Sequence, residues 1–600
     1  MANNYPVQDF TGWLNLTTST NIKDNQFTVL KNFYYNKDKQ IETRRWYVTF
    51  GNLIGTDPIT SYFFYQRDDN LSTLAVCDSW TAFYKYDELS NTWNSVQTWL
   101  HEYETIPSIA SNRTRRDYAV YKNVIYMGNW VDNYASYDGT TYTPIWVGTP
   151  VTCTFDNTTD IVIKTTHWLT INDEVKFTTT GTLPTGITAN TYYYVINPTT
   201  NNFQISTSKW GTAINFTTNG TGTNSYYALT EPRVRYVSYL ADRMFGAGDD
   251  WNPISLYYTN AAPTDGTNLN QNTVVVWGDE MGRINWLQEL QSTVLAFKSS
   301  KIYSINVAAP SATPIDPQTG GYSDRCIQNV ENNLFYFNER WVDSLGARYG
   351  VSGWQSLASN PLSADIRKLI NDITPAQYNA NASWYAKNYN NYYFAFDTND
   401  DNIPNTTLVY SSLVGAWSQY NFHNLYDFGN YITSNQEEYL LFASAINGQM
   451  YRFEYGFTDN GDDIDYHLRT KKFDFKKPGL YKTYDYVDIV VLKNIWSVID
   501  VFVEVDGWVA TQSQITDANI DDFGNIARTV GSTPIGIEPL TGEEWEEIPL
   551  YRITFRVPLY ATWPDILVDM QSTGWVWILE KMTISYDNEP VDVFNYANIG

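Results

Sequence analysis

Short aromatic stretches that alternate from one face to the other, each broken by a turn of Asp, Asn, Ser or Gly, recur along this 600-residue chain. FYKYDELSNTW (83–93) alternates, turns through Asp87 to Asn91 and resumes at Trp93. LVYSSLVGAW (408–417) does the same, and the interval from Tyr86 to Trp93 equals that from Tyr410 to Trp417. YASYDGTTY (134–142) is a shorter version with an Asp138-Gly139 turn, and LLFASAINGQMYRFE (440–454) offers Asn447-Gly448 for a type I′ turn. Aromatic and β-branched side chains suit pleated, half-buried surfaces, and Asn, Asp and Gly suit the turns between them. The expected fold class is therefore all-β. Hairpins repeating at roughly 40 to 60 residues suit propeller blades that cover one another's faces. Six or seven blades fit the length, and a set of separate β-sandwiches is the competing arrangement.

Two segments interrupt the pattern. Residues 151–230 hold seven charged side chains (Asp156, Asp160, Lys164, Asp173, Glu174, Lys176, Lys209) among many Thr, Asn and Gly, which reads as an inserted small β-domain. Beyond KKFDFKKPG (471–479), longer alternating strands suggest a C-terminal β-sandwich. The expected division is a lead-in at 1–55, propeller at 56–150, insertion at 151–230, propeller again at 231–470 and sandwich at 471–600. One amphipathic helix is expected in PLSADIRKLINDI (361–373). Ser363 would cap it, and Ile366, Leu369, Ile370 and Ile373 would form a stripe for packing.

Charge narrows the function. With 39 basic and 65 acidic residues the chain carries −26, against coating nucleic acid or lying on an anionic membrane. Residues 501–600 alone contribute 16 acidic and 4 basic side chains, a net of −12. No apolar run approaches the roughly 20 residues of a membrane helix, and MANNYPVQDF lacks a signal-peptide pattern, so synthesis and release in the cytoplasm are expected.

Catalytic and metal-binding signatures are sparse. Cys77, Cys153 and Cys326 are too scattered for a disulfide framework or zinc site, and His101, His167, His423 and His467 show no HExxH spacing. SYDGTTY (136–142) departs from the sialidase Asp box and reads as a turn. GxSxG, P-loop and Rossmann patterns are absent. Two D-x-N-x-D loops, Asp397/Asn399/Asp401 and Asp517/Asn519/Asp521, have oxygen ligands at calcium-like spacing but lack the glycine and glutamate of an EF-hand. The expectation is a protein that is not an enzyme, with no cofactor and no metal.

The order of several segments resembles the β-propeller tail proteins of short-tailed bacteriophages, the tail nozzle, tail tubular protein B or packaged-DNA stabilisation family. FTGWLNLTTSTNIKDNQFTVLKNFYYNKDKQIETRRW (10–46) is similar to the family's opening, with Gly12, Leu14, Asn15, Asn32 and Arg45 in the matching places. LADRMFGAGDDWNPISLYYTN (240–260), LQELQSTVLAFKSSKIYSI (287–305), NPLSADIRKLI (360–370), LVYSSLVGAWSQY (408–420) and RTKKFDFKKPGLYKTYDYVDIVV (469–491) follow in the family's order. The 151–228 segment resembles a small β-domain inserted into many phage tail proteins.

The resemblance implies a structural virion protein, made in the host cytoplasm and built into the tail. It implies a homo-oligomeric, hexameric ring below the portal and adaptor that retains packaged DNA and conducts it at ejection. The implied partners are portal-adaptor proteins, tail fibres or spikes, and DNA in transit without specific binding. An acidic wall suits such a conduit, because it repels phosphates and offers no lysines to hold them. Glu543, Glu544, Glu546 and Glu547 are the candidate channel-lining residues, against the plainer reading of GEEWEE as a solvated loop. The alternatives are a tail protein that binds host glycans through surface aromatics, and a propeller that cleaves them.

Overall fold

In the computed structural model, described residues lie between 3 and 587, apart from 99–114, 517–525, 531–547 and shorter stretches that include 8–13, 17–21, 68–72, 350–354 and 454–458. Strands dominate, and six four-stranded antiparallel sheets stand separately in the pattern of propeller blades. Blade I covers 59–98, blade II 117–144, blade III 236–275, blade IV 286–314 and blade V 328–361. Blade VI takes three strands from 425–453 and its fourth from the opposite end of the chain, Tyr47–Phe50, which pairs with Met450–Phe453. A further four-stranded meander at 382–420 has the same pattern but is continued by five more strands into a nine-stranded sheet.

The chain divides into two compact units. One holds residues up to Arg115, Phe297–Ile302 and Pro314 onward, and the other holds Arg116–Ala296 with Tyr303–Thr313. Within the first, the first strand of blade VI packs against those of blade I and of the meander, and the meander's packs against that of blade V. Within the second, the first strand of blade III packs against those of blades II and IV. First strands therefore form the inner layer of each unit, as a propeller requires.

The equal aromatic intervals have a physical basis. Tyr86 faces Trp93 across the last two strands of blade I, and Tyr410 faces Trp417 across the last two of the meander. Their ring centroids lie 5.1 and 5.0 Å apart. Such pairs add about 0.5–1.5 kcal/mol beyond burial. The turns differ from one another. Gly139 takes φ 97°, and Asp138 accepts the amides of Thr140 and Thr141. The type I′ turn expected at Asn447-Gly448 is absent: the strands separate after Ala443↔Met450, and Gly448 is not in the left-handed region. Gly448 instead pairs through its backbone with Ile54 and Gly55, where a Cβ would lie 2.7 Å from the Ile54 side chain.

The expected helix is reduced to a 3-10 turn, Ala364–Ile366, and one α-turn, Arg367–Asn371. Ser363 does not cap it, because its hydroxyl accepts the Val342 amide of blade V instead. Ile366, Ile370 and Ile373 are nonetheless buried.

Residues 151–228 form a closed six-stranded barrel around its own core, which includes Phe155, Val175, Phe177, Val195 and Phe203. The strands beyond 471 do not make a sandwich of their own. Lys482–Lys493, Ile548–Trp563 and Trp577–Asp587 lie in a seven-stranded sheet that also recruits Asn3–Val7, Phe33–Tyr35 and Ile41–Thr43. Ile499–Val505, Trp508–Ile515 and Leu567–Thr573 extend the nine-stranded sheet beyond the meander. One core joins both sheets, with Val487, Ile489 and Val491 from one and Val501, Val503 and Met570 from the other. These strands bury their inner faces against N-terminal and blade segments, so long-range pairing decides their partners.

The lead-in holds these layers together. Leu14 N–H donates to the Trp417 carbonyl and Leu16 N–H to that of Asp365. Asn32, at φ 64°, accepts from Arg44 Nε and from the Asn421 amide, and it donates to the Asp465 carbonyl. Arg44 is buried and makes a two-pronged ion pair with Asp459. Removing one partner of such a pair typically costs about 3–5 kcal/mol, because a charge is left buried. The family-like positions Leu14, Asn15 and Asn32 are all buried, with Asn15 donating to the Gln26 side chain and Asn32 bonded as above. The guanidinium in the clamp belongs to Arg44, beside Arg45, and Gly12 lies outside the described residues. Among the described residues, no helix is long and apolar enough to cross a membrane.

Candidate functional site

The candidates from the sequence fall in three places. Glu543, Glu544, Glu546, Glu547 and the Asp517/Asn519/Asp521 loop lie outside the described residues. In the other Asp/Asn loop, Asp397 is buried and accepts the Asn399 amide, Asp401 accepts from Ile403 N–H and from the Asn399 side chain, and Asn405 donates to Asn399. Its oxygens close a hairpin tip in the way Asx turns do. Among the described residues, no group of three or more His, Cys, Asp or Glu is arranged to hold a metal ion. Cys77, Cys153 and Cys326 are buried free thiols; burial pushes Cys153 up to about 12 and the other two well up.

What the fold does bring together is a cluster of charges at the entrances to the first strands, with Asp324, Arg325 and Asp427 buried and Arg115 half-buried. Arg115 lies 3.5 Å from Asp324, just ahead of blade V, and 3.3 Å from Asp427 in the first strand of blade VI. Asp427 also accepts the Tyr62 amide of blade I at 3.2 Å. Arg325 donates to the Tyr426 carbonyl at 2.7 Å and stacks over the Tyr426 ring at 4.4 Å, while its own carbonyl accepts from Ser383 of the meander. The two guanidinium groups, the Asp427 carboxylate and the Arg325 carbonyl together tie blades I, V and VI and the meander. In low dielectric, such charge-assisted bonds are strong only when both partners are held, as they are here. The arrangement is a structural knot. Sequence reasoning passed over it, although NRTRRDYAV (112–120) and GYSDRCIQNV (321–330) both place adjoining opposite charges just ahead of an apolar strand.

A second feature is an open cleft of about 430 Å³ between blades I and VI, with Lys85, Asp87, Glu88 and Asn94 on one side and Tyr431 on the other. Its carboxylates are engaged. Glu88 accepts from Tyr431 Oη at 2.9 Å and from the amide and hydroxyl of Ser434, and Asp87 accepts from Leu89 N–H and Ser90 Oγ. Burial, then the Glu88 carboxylate, holds the Tyr431 phenol above its ordinary range. These contacts brace one blade against the next.

No family model and no curated protein sequence matches the chain. Among solved structures, it is similar to an exo-β-1,3-galactanase from Phanerochaete chrysosporium with galactose, at 9% identity over 58% of this chain and 94% of that one, TM-score 0.20. The Pan2 WD40 domain of Neurospora crassa is similar at 9% identity over 58% and 91%, TM-score 0.23. With TM-scores this low, the likeness carries no argument about function, and the propeller is identified from the sheet order itself.

Proposed function

We propose that the chain is a structural protein of a short-tailed bacteriophage virion. Several copies, six in the family it resembles, form a ring below the portal and adaptor that retains packaged DNA and conducts it at ejection. The observation that carries this reading is the ordered resemblance of segments from residue 10 to residue 491. The net charge of −26 fits it, because a conduit must not hold phosphates.

The knot at the inner strands supports a path that lies outside a single copy. Asp324 and Asp427 lie within 3.5 Å of a single guanidinium, although the whole 382–420 meander separates blades V and VI. A double helix, whose major groove alone is about 12 Å wide, does not pass between groups so close. In this reading DNA runs between copies around the ring.

The test is gold labelling of purified virions with an antibody to this protein, beside a count of copies per particle. Label at the tail vertex with about six to twelve copies is the expected result for a closed ring. Label on peripheral appendages in multiples of three, or no label on particles, overturns the proposal.

A further inference from the structure

Trp168 and Trp210 are 89% and 68% exposed, and both belong to the inserted barrel. The backbone on both sides of Trp168 is braced. Ahead of Trp168, Thr166 N–H donates to the Asn201 side chain and His167 Nε2 bonds the Asn202 carbonyl at 3.0 Å. Behind it, Leu169 N–H donates to His167 Nδ1 and Thr170 N–H to Asp173 at 2.6 Å. Trp210 has φ 57°, a left-handed conformation that costs a bulky residue about 1–3 kcal/mol. It is followed by Gly211, where a Cβ would lie 2.2 Å from Ser206 Oγ. Two large amphipathic rings held out in water near the ends of one strand offer stacking surface to a ligand.

The anchor points of the two indoles mark the ends of one strand, Asn202–Ser206, about 13 Å long at 3.3 Å per residue. Its inner residues, Phe203 and Ile205, fill the barrel core. Its outer residues, Asn202 and Gln204, are half-buried, and Gln204 is bonded by Asn197 and in turn donates to the Thr159 carbonyl. Two amide side chains, Asn202 and Gln204, therefore lie on the outer face of the strand whose ends neighbour the two tryptophan-bearing segments.

Charge decides what fits this face. Residues 151–228 contain 22 Thr and 9 Asn against four acidic and three basic side chains, a net of −1 in a chain of −26. Nucleic acid and acidic or basic peptides find no complementary charge there. A sugar ring has an apolar C–H face that stacks on indole and a rim of hydroxyls that pair with amides and threonine hydroxyls. We infer that the barrel binds a neutral glycan chain along the Asn202–Ser206 strand, with Trp168 and Trp210 as the two stacking platforms. This binding function is separate from the ring-forming one, and each can fail without the other.

The experiment uses the full-length protein on an array of neutral glucan, galactan, mannan and N-acetylhexosamine oligomers beside sialylated and uronate-containing ones. Calorimetry then follows the best-retained oligomer. Retention of a neutral series is expected, with a loss of about tenfold for each of Trp168→Ala and Trp210→Ala and partial recovery in Trp168→Phe. Trp168→Ala should unfold at the wild-type temperature, because the side chain removed is already almost wholly in solvent. Retention of acidic glycans alone, retention of none, or wild-type affinity in the double variant overturns the inference.

Discussion

Asp343, at the start of the third strand of blade V, illustrates what burial does to one residue. It is 3% exposed, accepts from Asn338 Nδ2, and is held up at about 6 by burial, partly offset by the Asn338 and Tyr336 contacts. An ordinary aspartate titrates near 3.9. The folded state therefore binds this proton more tightly than the unfolded one, so its contribution is favourable at low pH and is lost as pH rises from about 4 through 6. Above pH 6 the ionised carboxylate costs on the order of 1–2 kcal/mol, after allowance for solvent screening. Asp343→Asn should stabilise the protein by about 1 kcal/mol at pH 7.5 and flatten that part of the pH profile. Urea unfolding at pH 4.5 and 7.5 checks both, and a variant less stable than wild type at pH 7.5 refutes the account. Nothing in VDSLGARY marks this aspartate as buried. The nearest charge partners of Arg44 and Arg115 are likewise far away in sequence, and only folding reveals them.

At the scale of the element, local pattern was readable wherever both partners of a contact lie within a few residues. The seven-residue spacing of Tyr86 with Trp93, and of Tyr410 with Trp417, is a direct consequence of a tight turn between paired strands. The misread elements are those whose partners come from elsewhere: Gly448 answers to Gly55, and Ser363 to Val342. Gly429 belongs with these. It lies in the first strand of blade VI against blade I, where an added Cβ would sit 2.2 Å from the Tyr62 ring, while Tyr62 Oη donates to the Asn430 carbonyl next door. Tyr62 is buried and bonded at both ends, so it cannot swing away. Gly429→Ala should cost about 1–3 kcal/mol by overpacking. Pairing it with Tyr62→Leu should return part of that loss in a denaturation double-mutant cycle. Additive losses would mean that the blade I–blade VI contact is not the seat of the strain.

At the scale of the whole molecule, the charge of −26 makes copies repel one another, while the proposed ring would bring them into contact. Repulsion between exposed charges weakens once the screening length falls from about 10 Å at 0.1 M salt towards 3 Å at 1 M. Self-association of the purified protein, followed by sedimentation velocity, should therefore strengthen as salt rises, whereas a ring held by salt bridges would weaken. Composition and alternation by themselves determined that this chain is all-β, turn-rich and acidic, because those properties follow from which side chains fit a pleated surface and which fit a turn. They also marked the neutral, threonine-rich insertion. Only the tertiary structure decided that Tyr47–Phe50 completes a blade begun some 380 residues later, that the strands after 471 divide between two sheets, and that Arg115 meets Asp324 and Asp427. The physical reason is that an unpaired strand edge or a buried charge accepts any well-placed partner. Which partner arrives depends on the packing of all the others.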